Sequence, residues 1–124
     1  MNILIIENDA EVADYTEEVL LNTPGIPSPS IVRASNGQEG AELLFSAAPE
    51  LVIAEAHLPG ADGVSILASF RQQNNTTPLI IIADSLEPDQ MAHLRSLNVH
   101  SILFKPFMPE YLHQAVIGAL NITV

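Results

Sequence analysis

Residues that could do chemistry stand at the ends of three apolar segments. The stretch Glu7-Asn8-Asp9 follows the first segment, Glu55 ends the second, and Lys105 follows the third. Carboxylates are ligands that hard divalent cations prefer, and an ammonium neutralises a bound anion. The sequence has no Cys, which excludes a thiolate nucleophile, a disulfide framework and a cysteine-based zinc site. Chemistry must therefore rest on carboxylates, hydroxyls, His or Lys.

Short strands and helices must position these residues. Runs rich in Ile, Leu and Val predict strands at Ile3 to Ile6, Ile31 to Ala34, Leu51 to Glu55, Leu79 to Ala83 and Ser101 to Phe104. Three of the runs are almost continuously apolar, which is typical of parallel strands covered on both faces. Helical spacing and capping residues predict helices that begin near Ala10, Asn36, Gly63, Pro88 and Pro109.

Strands that alternate with helices predict one α/β domain over residues 1–124, a three-layer sandwich with right-handed crossovers. On the first helix, Val12, Tyr15, Val19 and Thr16 are predicted to face the core. In a doubly wound sheet, the functional crevice lies outside the carboxyl ends of the strands. The acidic stretch, Glu55 and Lys105 should therefore meet at one edge.

Four segments resemble the signature segments of response-regulator receiver domains. They are Ile3–Asp9, Pro49–Gly63, Thr77–Ala83 and Phe104–Phe107, in the family's order and spacing over essentially the whole chain. The resemblance implies a flavodoxin-like five-stranded parallel sheet of order 2-1-3-4-5 with five helices. It also implies a role in two-component phosphorelay signal transduction, and not an enzyme.

The resemblance also implies roles for individual residues. In the family, an acidic pair holds Mg²⁺, and an Asp after strand three is phosphorylated by a histidine kinase or phosphotransfer protein. A Thr or Ser after strand four and a Lys after strand five then bind the phosphoryl oxygens. The matching positions here, in chain order, are Glu7 and Asn8 (acidic pair), Glu55 (phosphoacceptor), Ala83 (Thr or Ser switch), Ile102 (aromatic switch) and Lys105.

Only Lys105 matches this pattern fully, and Pro106 follows it where the family often has a cis peptide bond. Asn8 offers a neutral carbonyl, so Mg²⁺ at Glu7, Asn8 and Glu55 should bind weakly or not at all. The carboxylate of Glu55 stands one methylene farther out than that of Asp, and a misplacement of about 1 Å can slow a positioned reaction about a hundredfold. Ala83 has no hydroxyl, and Ser85 could replace it only through an unusual bend.

Three interpretations remain open. The favoured one is an atypical receiver that acts as a binding module, because Glu55 is permanently anionic and can reach Lys105. An orthodox Mg²⁺-dependent phosphoacceptor would use Glu55 or another carboxylate such as Asp9, which can equally serve as a helix cap. An unrelated flavodoxin-like enzyme has less support, because Glu7-Asn8-Asp9 stands where a nucleotide-binding protein carries a Gly-rich phosphate loop.

Composition limits the partners. Fifteen acidic residues against four basic ones give a net charge of −11, which repels nucleic acid and anionic membranes. The N-terminus lacks the basic region of a signal peptide, and no apolar run approaches the roughly 20 residues that span a bilayer. We therefore expect a cytoplasmic domain without direct nucleic-acid or membrane binding.

The expected partners are a histidine kinase, a phosphotransfer protein or another signalling protein, and a fused effector domain after Val124. A homodimer stays open. Arg95 is the chief basic residue of the last two helices, which disfavours a salt-bridged dimer and leaves an apolar one. The four histidines have no ligand spacing and are expected to be surface residues: His57, His93, His100 and His113.

Overall fold

The computed structural model describes residues 1–26, 28–59 and 61–122. Its elements in chain order are β1 (Asn2–Ile6), α1 (Ala10–Leu21), β2 (Ser30–Ala34), α2 (Gly37–Ser46), β3 (Leu51–Glu55), β4 (His57–Leu58), β5 (Ala61–Asp62), α3 (Gly63–Gln73), β6 (Leu79–Ala83), α4 (Pro88–Ser96), β7 (Ser101–Phe104) and α5 (Pro109–Leu120). Each predicted strand and helix is present, with boundaries that agree within a residue or two.

Five strands form one parallel sheet of order β2-β1-β3-β6-β7. Numbered within that sheet alone, this is the predicted order 2-1-3-4-5, and the fold class is confirmed. Two further strands, β4 and β5, form a short antiparallel pair that the sequence did not predict. They lie between Glu55 and α3, directly beside the carboxyl end of β3.

Alternate residues of the central strands feed two separate apolar cores. Ile3 and Ile5 of β1 pack with Leu20 of α1 and Leu112 of α5 on one face. Leu4 and Ile6 pack on the other face with residues of α2, α3 and α4. Strands β3 and β6 are buried at every position, because helices cover both of their faces. This is the predicted three-layer sandwich.

The buried face of α1 differs from the prediction by about one residue. Ala13, Thr16 and Leu20 are buried, whereas Val12, Tyr15 and Val19 are only half-buried. Small side chains at positions 13 and 16 let the helix approach the sheet closely, so the larger residues lie along its edges. Tyr15 consequently faces the loop that follows β7.

Polar side chains fix the starts of three helices. Asp9, Asn36 and Asp62 each accept hydrogen bonds from backbone N–H groups in the first turn of α1, α2 and α3. These caps fix the residue at which each helix begins. The chain therefore turns sharply after β1 and after the β4–β5 pair, which keeps both connections short at the carboxyl edge.

Gly63 is expected to be essential for the packing of α3 on the end of β3. A Cβ at this position would lie 2.8 Å from the carbonyl oxygen of Glu55 and 2.7 Å from that of Ala56. Because backbone cannot move aside as a flexible side chain can, Gly63→Ala should lower the unfolding free energy by about 1–3 kcal/mol. Chemical denaturation measures the change.

Gly118→Ala in α5 is the matched control. Its Cβ would meet only the exposed ring of His100 at 3.1 and 3.2 Å. That ring can turn away, and Ala is favoured over Gly inside a helix by about 1 kcal/mol. We expect this variant to be neutral or more stable. Equal destabilisation by both substitutions would contradict the close approach at Gly63.

Candidate functional site

Three charged side chains from different strand ends meet at the carboxyl edge of the sheet. Glu7 follows β1, Glu55 ends β3 and Lys105 follows β7. The ammonium nitrogen of Lys105 lies 3.0 Å from Glu7 Oε1 and 2.7 Å from Glu55 Oε2. Both carboxylate side chains are only 2% exposed, and that of Lys105 is 15% exposed. We refer to these three residues as the ion triad.

Each carboxylate oxygen of the ion triad faces a cationic or hydrogen-bonding group. The backbone N–H of Asp9 donates to Glu7 Oε2 at 3.2 Å, and that of His57 donates to Glu55 Oε1 at 3.0 Å. The other two oxygens are buried and have no hydrogen-bond partner in the described residues besides the ammonium that they face. Every carboxylate oxygen of the triad therefore has a polar partner within the protein.

Backbone hydrogen bonds hold the three residues in register. The N–H of Lys105 donates to the carbonyl of Ala83 at 2.9 Å, and the N–H of Glu7 donates to that of Ala34 at 2.9 Å. Both bonds continue the ladder one step beyond the regular strands. The Lys105–Pro106 peptide bond is cis, as the resemblance implied.

One cation shared by two buried anions shifts the ionisation of both kinds of group. Desolvation raises the pKa of Glu7 above its ordinary value of 4.5, although Lys105 and the N–H of Asp9 act against this. Desolvation lowers the pKa of Lys105, but hydrogen bonds to Glu55 and Glu7 outweigh it and leave that pKa above its ordinary 10.5. Two carboxylates stabilise the charged form of Lys105, whereas Glu7 must share that one ammonium with Glu55.

The remaining residues of the predicted site lie around the triad without joining it. Asn8 is exposed, and its side chain forms no hydrogen bond with the triad among the described residues. Asp9 is exposed and caps α1 by accepting from Glu11 N at 3.0 Å and Val12 N at 3.4 Å. Ala83 is buried and contributes only its carbonyl. Ile102 is half-buried and packs against the core beneath α2, α3 and α4.

His57 links two loops at the edge of the site, which sequence reasoning missed. Its exposed ring places Nε2 2.8 Å from the carbonyl oxygen of Ser85, so Nε2 carries the proton and donates. The loop after β3 is thereby tied to the loop after β6. A single His two residues beyond a strand gives no sequence signal for such a contact.

The ion triad fits a divalent cation poorly. The ammonium of Lys105 contacts one oxygen of each carboxylate, and Asn8 is exposed. Among the described residues, no group of three or more His, Asp or Glu side chains is arranged to hold a metal ion. Because the ammonium already neutralises part of the charge of both carboxylates, the triad offers a divalent cation little free anionic charge.

The fold and the carboxylate-and-lysine edge define a signalling domain of the receiver type. The chain belongs to the response regulator receiver domain family, whose sequence profile matches residues 3–117. It is thus a receiver domain of two-component signalling. No helix in the described part of the chain has the length and apolar composition of a bilayer span.

Similar proteins are response regulators from several bacteria. The chain is 25% identical over 114 residues to "Probable C4-dicarboxylate response regulator DctR" of Bacillus subtilis, covering 92% of this chain and 50% of that protein. It is 35% identical over 109 residues to "Transcriptional regulatory protein QseB" of Escherichia coli O157:H7, covering 86% and 47%. The chain thus spans about half the length of the curated relatives it matches.

Solved receiver domains share the fold over nearly their whole length. The CheY-like receiver domain protein of Methanospirillum hungatei JF-1 superposes with a TM-score of 0.87 at 18% identity, covering 97% of this chain and 93% of that one. The receiver domain of an HD domain-containing protein from Pseudomonas fluorescens Pf-5 gives 0.84 at 26% identity, covering 97% and 94%.

Glu7→Gln should reveal the buried charge through the pH dependence of stability. Because the pKa of Glu7 is raised on folding, its contribution to stability is full below about pH 4.5 and is lost as the pH rises through the folded value. Gln stays neutral at every pH. We expect the unfolding free energy of the variant, relative to wild type, to increase as the pH rises above 4.5.

Urea denaturation at a series of pH values measures this difference. Glu42→Gln on the exposed face of α2 is the control, and its difference from wild type should stay flat. If the Glu7→Gln difference shrinks as the pH rises, the ammonium outweighs the burial of Glu7.

Lys105→Met should destabilise the fold strongly, because it leaves two buried carboxylates facing each other. We expect a loss of about 3–5 kcal/mol near pH 7. The pKa of Lys105 is raised, so the ammonium's contribution is present below about pH 10.5 and is lost as the pH rises through the folded value. On the alkaline side, the difference between wild type and variant should therefore persist up to pH 10.5 and shrink above it.

Arg95→Met is the control for losing one positive charge. The side chain of Arg95 is exposed and forms no ion pair or hydrogen bond among the described residues. Its replacement should change the unfolding free energy by less than about 0.5 kcal/mol. Similar losses in both variants would mean that Lys105 acts only through net charge.

Proposed function

We propose that this receiver domain signals by protein–protein contacts without phosphorylation of its own site. In this proposal Glu55 stands in the position of the phosphoacceptor Asp, and Glu7 and Asn8 in that of the acidic pair. The observation that carries it is the 2.7 Å contact between Glu55 Oε2 and the ammonium of Lys105. The lysine that would bind a phosphoryl oxygen in the family is already bound by the side chain at position 55.

Electrostatics supports the same conclusion. The ion triad has two negative charges and one positive charge, all largely shielded from water. An incoming phosphoryl group would add negative charge next to Glu7 and Glu55 and would have to compete with them for one ammonium. Unless a divalent cation offsets this charge, transfer to Glu55 is disfavoured.

The groups that would respond to a phosphoryl group are also replaced. Ala83 has no hydroxyl at the Thr or Ser position and is fully buried, so water cannot take the hydroxyl's place there. Ile102, at the aromatic position, packs on the core and has no polar group to exchange partners. A phosphorylated state would therefore lack the two contacts through which it could be sensed.

Mg²⁺ has only a weak role in this proposal. When bound in a receiver, the ion supplies positive charge that lets an anionic phosphoryl group approach a carboxylate. Here Lys105 supplies one positive charge permanently, and Glu7, Asn8 and Glu55 would offer a cation two shared carboxylates and one neutral amide. We expect folding and partner binding to proceed without the ion.

The partner is inferred to be a cytoplasmic signalling protein, such as a histidine kinase or a phosphotransfer protein. Because the relatives are about twice as long, a fused effector domain also fits, although residues beyond 122 lie outside the described part. Exposed Phe104, Met108 and Tyr111 at the β7–α5 side offer apolar surface for a partner or for a homodimer. The net charge of −11 argues against nucleic acid or an anionic membrane.

Incubation with Mg²⁺ and acetyl phosphate, followed by intact mass measurement, tests the proposal. We expect wild type to gain no phosphoryl group under conditions that modify an orthodox receiver. The variant Asn8→Asp, Glu55→Asp, Ala83→Thr restores the carboxylate pair, the shorter acceptor and the hydroxyl, so it should become labelled. Mg²⁺ with beryllofluoride should shift the backbone amide NMR signals at the site in this variant and not in wild type.

Labelling of wild type would contradict the proposal. Peptide mapping then decides which orthodox interpretation holds, because the acyl phosphate would lie either on Glu55 or on another carboxylate such as Asp9. If neither wild type nor the triple variant is labelled, Asn8, Glu55 and Ala83 are not what disables the site, and this explanation of the absent phosphorylation is wrong.

A further inference from the structure

Tyr15 makes a contact that none of the functions above uses. Its hydroxyl donates to the carbonyl oxygen of Phe107 at 3.1 Å, across a sequence separation of 92 residues. Its ring packs edge-on against that of Phe107, with the ring centres 5.5 Å apart and the planes at 62°. Tyr15 thus ties α1 to the segment that directly follows Lys105.

That segment has few other hydrogen bonds. Pro106 has no N–H, and neither Pro106 nor Phe107 makes a backbone–backbone hydrogen bond outside regular elements in the described residues. The next residue in the chain, Met108, is exposed and only caps α5. The bond from the Tyr15 hydroxyl is therefore the one side-chain hydrogen bond to these two residues in the described part of the chain. Phe107 also packs against the apolar core beneath α1 and α5, but that packing is non-directional and fixes no backbone carbonyl.

Helix α1 and its N-cap contact both Glu7 and the segment that follows Lys105. The N–H of Asp9, at its start, holds Glu7 Oε2, and Tyr15 lies six residues farther along the same helix. At about 1.5 Å per residue, the two contacts are roughly 9 Å apart on a rigid rod. Any movement of α1 relative to the sheet would change both the position of Glu7 and the path of the chain after Lys105.

We propose that Tyr15 is a positioning residue for Lys105, which it holds between Glu7 and Glu55 by fixing Phe107. The inference rests on the proposed function, because it assigns a control point to the ion triad. The hydrogen bond from the Lys105 N–H to the Ala83 carbonyl fixes the backbone at Lys105. The bond from the Tyr15 hydroxyl to the Phe107 carbonyl fixes the backbone two residues later. The ammonium is positioned only when both are in place.

A direct readout is available because Lys105 is the only lysine in the sequence. Acylation by acetic anhydride at neutral pH reports how often the amine leaves its partners, and the α-amine of Met1 is the only other primary amine. Mass mapping separates the two sites. Tyr15→Phe keeps the ring and removes only the hydroxyl, so the folded structure should persist.

Tyr111→Phe is a matched control, since Tyr111 is the only other tyrosine and is 62% exposed. We expect Tyr15→Phe to accelerate acylation of Lys105 by roughly two- to tenfold, the range of one net hydrogen bond. Tyr111→Phe should leave the rate unchanged, and Met1 should react equally in all three proteins. Tyr15→Leu, which also removes the aromatic contact, should react faster still.

The outcomes separate the two proposals. If Lys105 of wild type is protected and Tyr15→Phe protects it equally, Tyr15 has no positioning role, and the ion triad stands. If Lys105 of wild type reacts as fast as the lysine of an unstructured peptide, the triad itself is absent. That second result would overturn the proposed function together with the role of Tyr15.

Discussion

The ammonium of Lys105 between two buried carboxylates is the interaction on which the carboxyl edge of the sheet depends. Glu7 directly follows β1 and Glu55 ends β3, and both side chains are only 2% exposed. Only a cation at the carboxyl edge makes their burial tolerable. Lys105 supplies that cation directly after the edge strand β7, where its N–H bond to Ala83 and the cis bond to Pro106 set the path of the chain.

Sharing one cation between two anions gives the site an unequal balance. Lys105 gains from two partners, so its pKa is raised, whereas Glu7 is buried more than it is compensated, so its pKa is raised as well. Both pKa values can rise together, because the shift at Glu7 comes from burial and the shift at Lys105 comes from its two anionic partners. The triad therefore keeps a residual negative charge, with two carboxylates and one ammonium largely shielded from water.

Much of this arrangement could be predicted from the sequence because it follows from local patterns. Apolar runs marked the strands, Asp9, Asn36 and Asp62 marked helix starts, and the carboxyl-edge rule brought Glu55 and Lys105 together. The long-range polar contacts could not be predicted. Tyr15 to Phe107 and His57 to Ser85 join distant residues of ordinary type, and their geometry depends on how loops pack after the sheet has formed.

The basic residues are almost all committed to contacts within the fold. Arg33 pairs with Asp14, Arg71 donates to the carbonyls of Leu97, Asn74 and Asn98, and Lys105 is enclosed in the triad. The surface therefore has a field of one sign, which weakens the compact state by self-repulsion. Dissolved salt screens such repulsion beyond about 8 Å at physiological ionic strength. Added salt should accordingly stabilise this domain, whereas it weakens proteins that rely on exposed ion pairs.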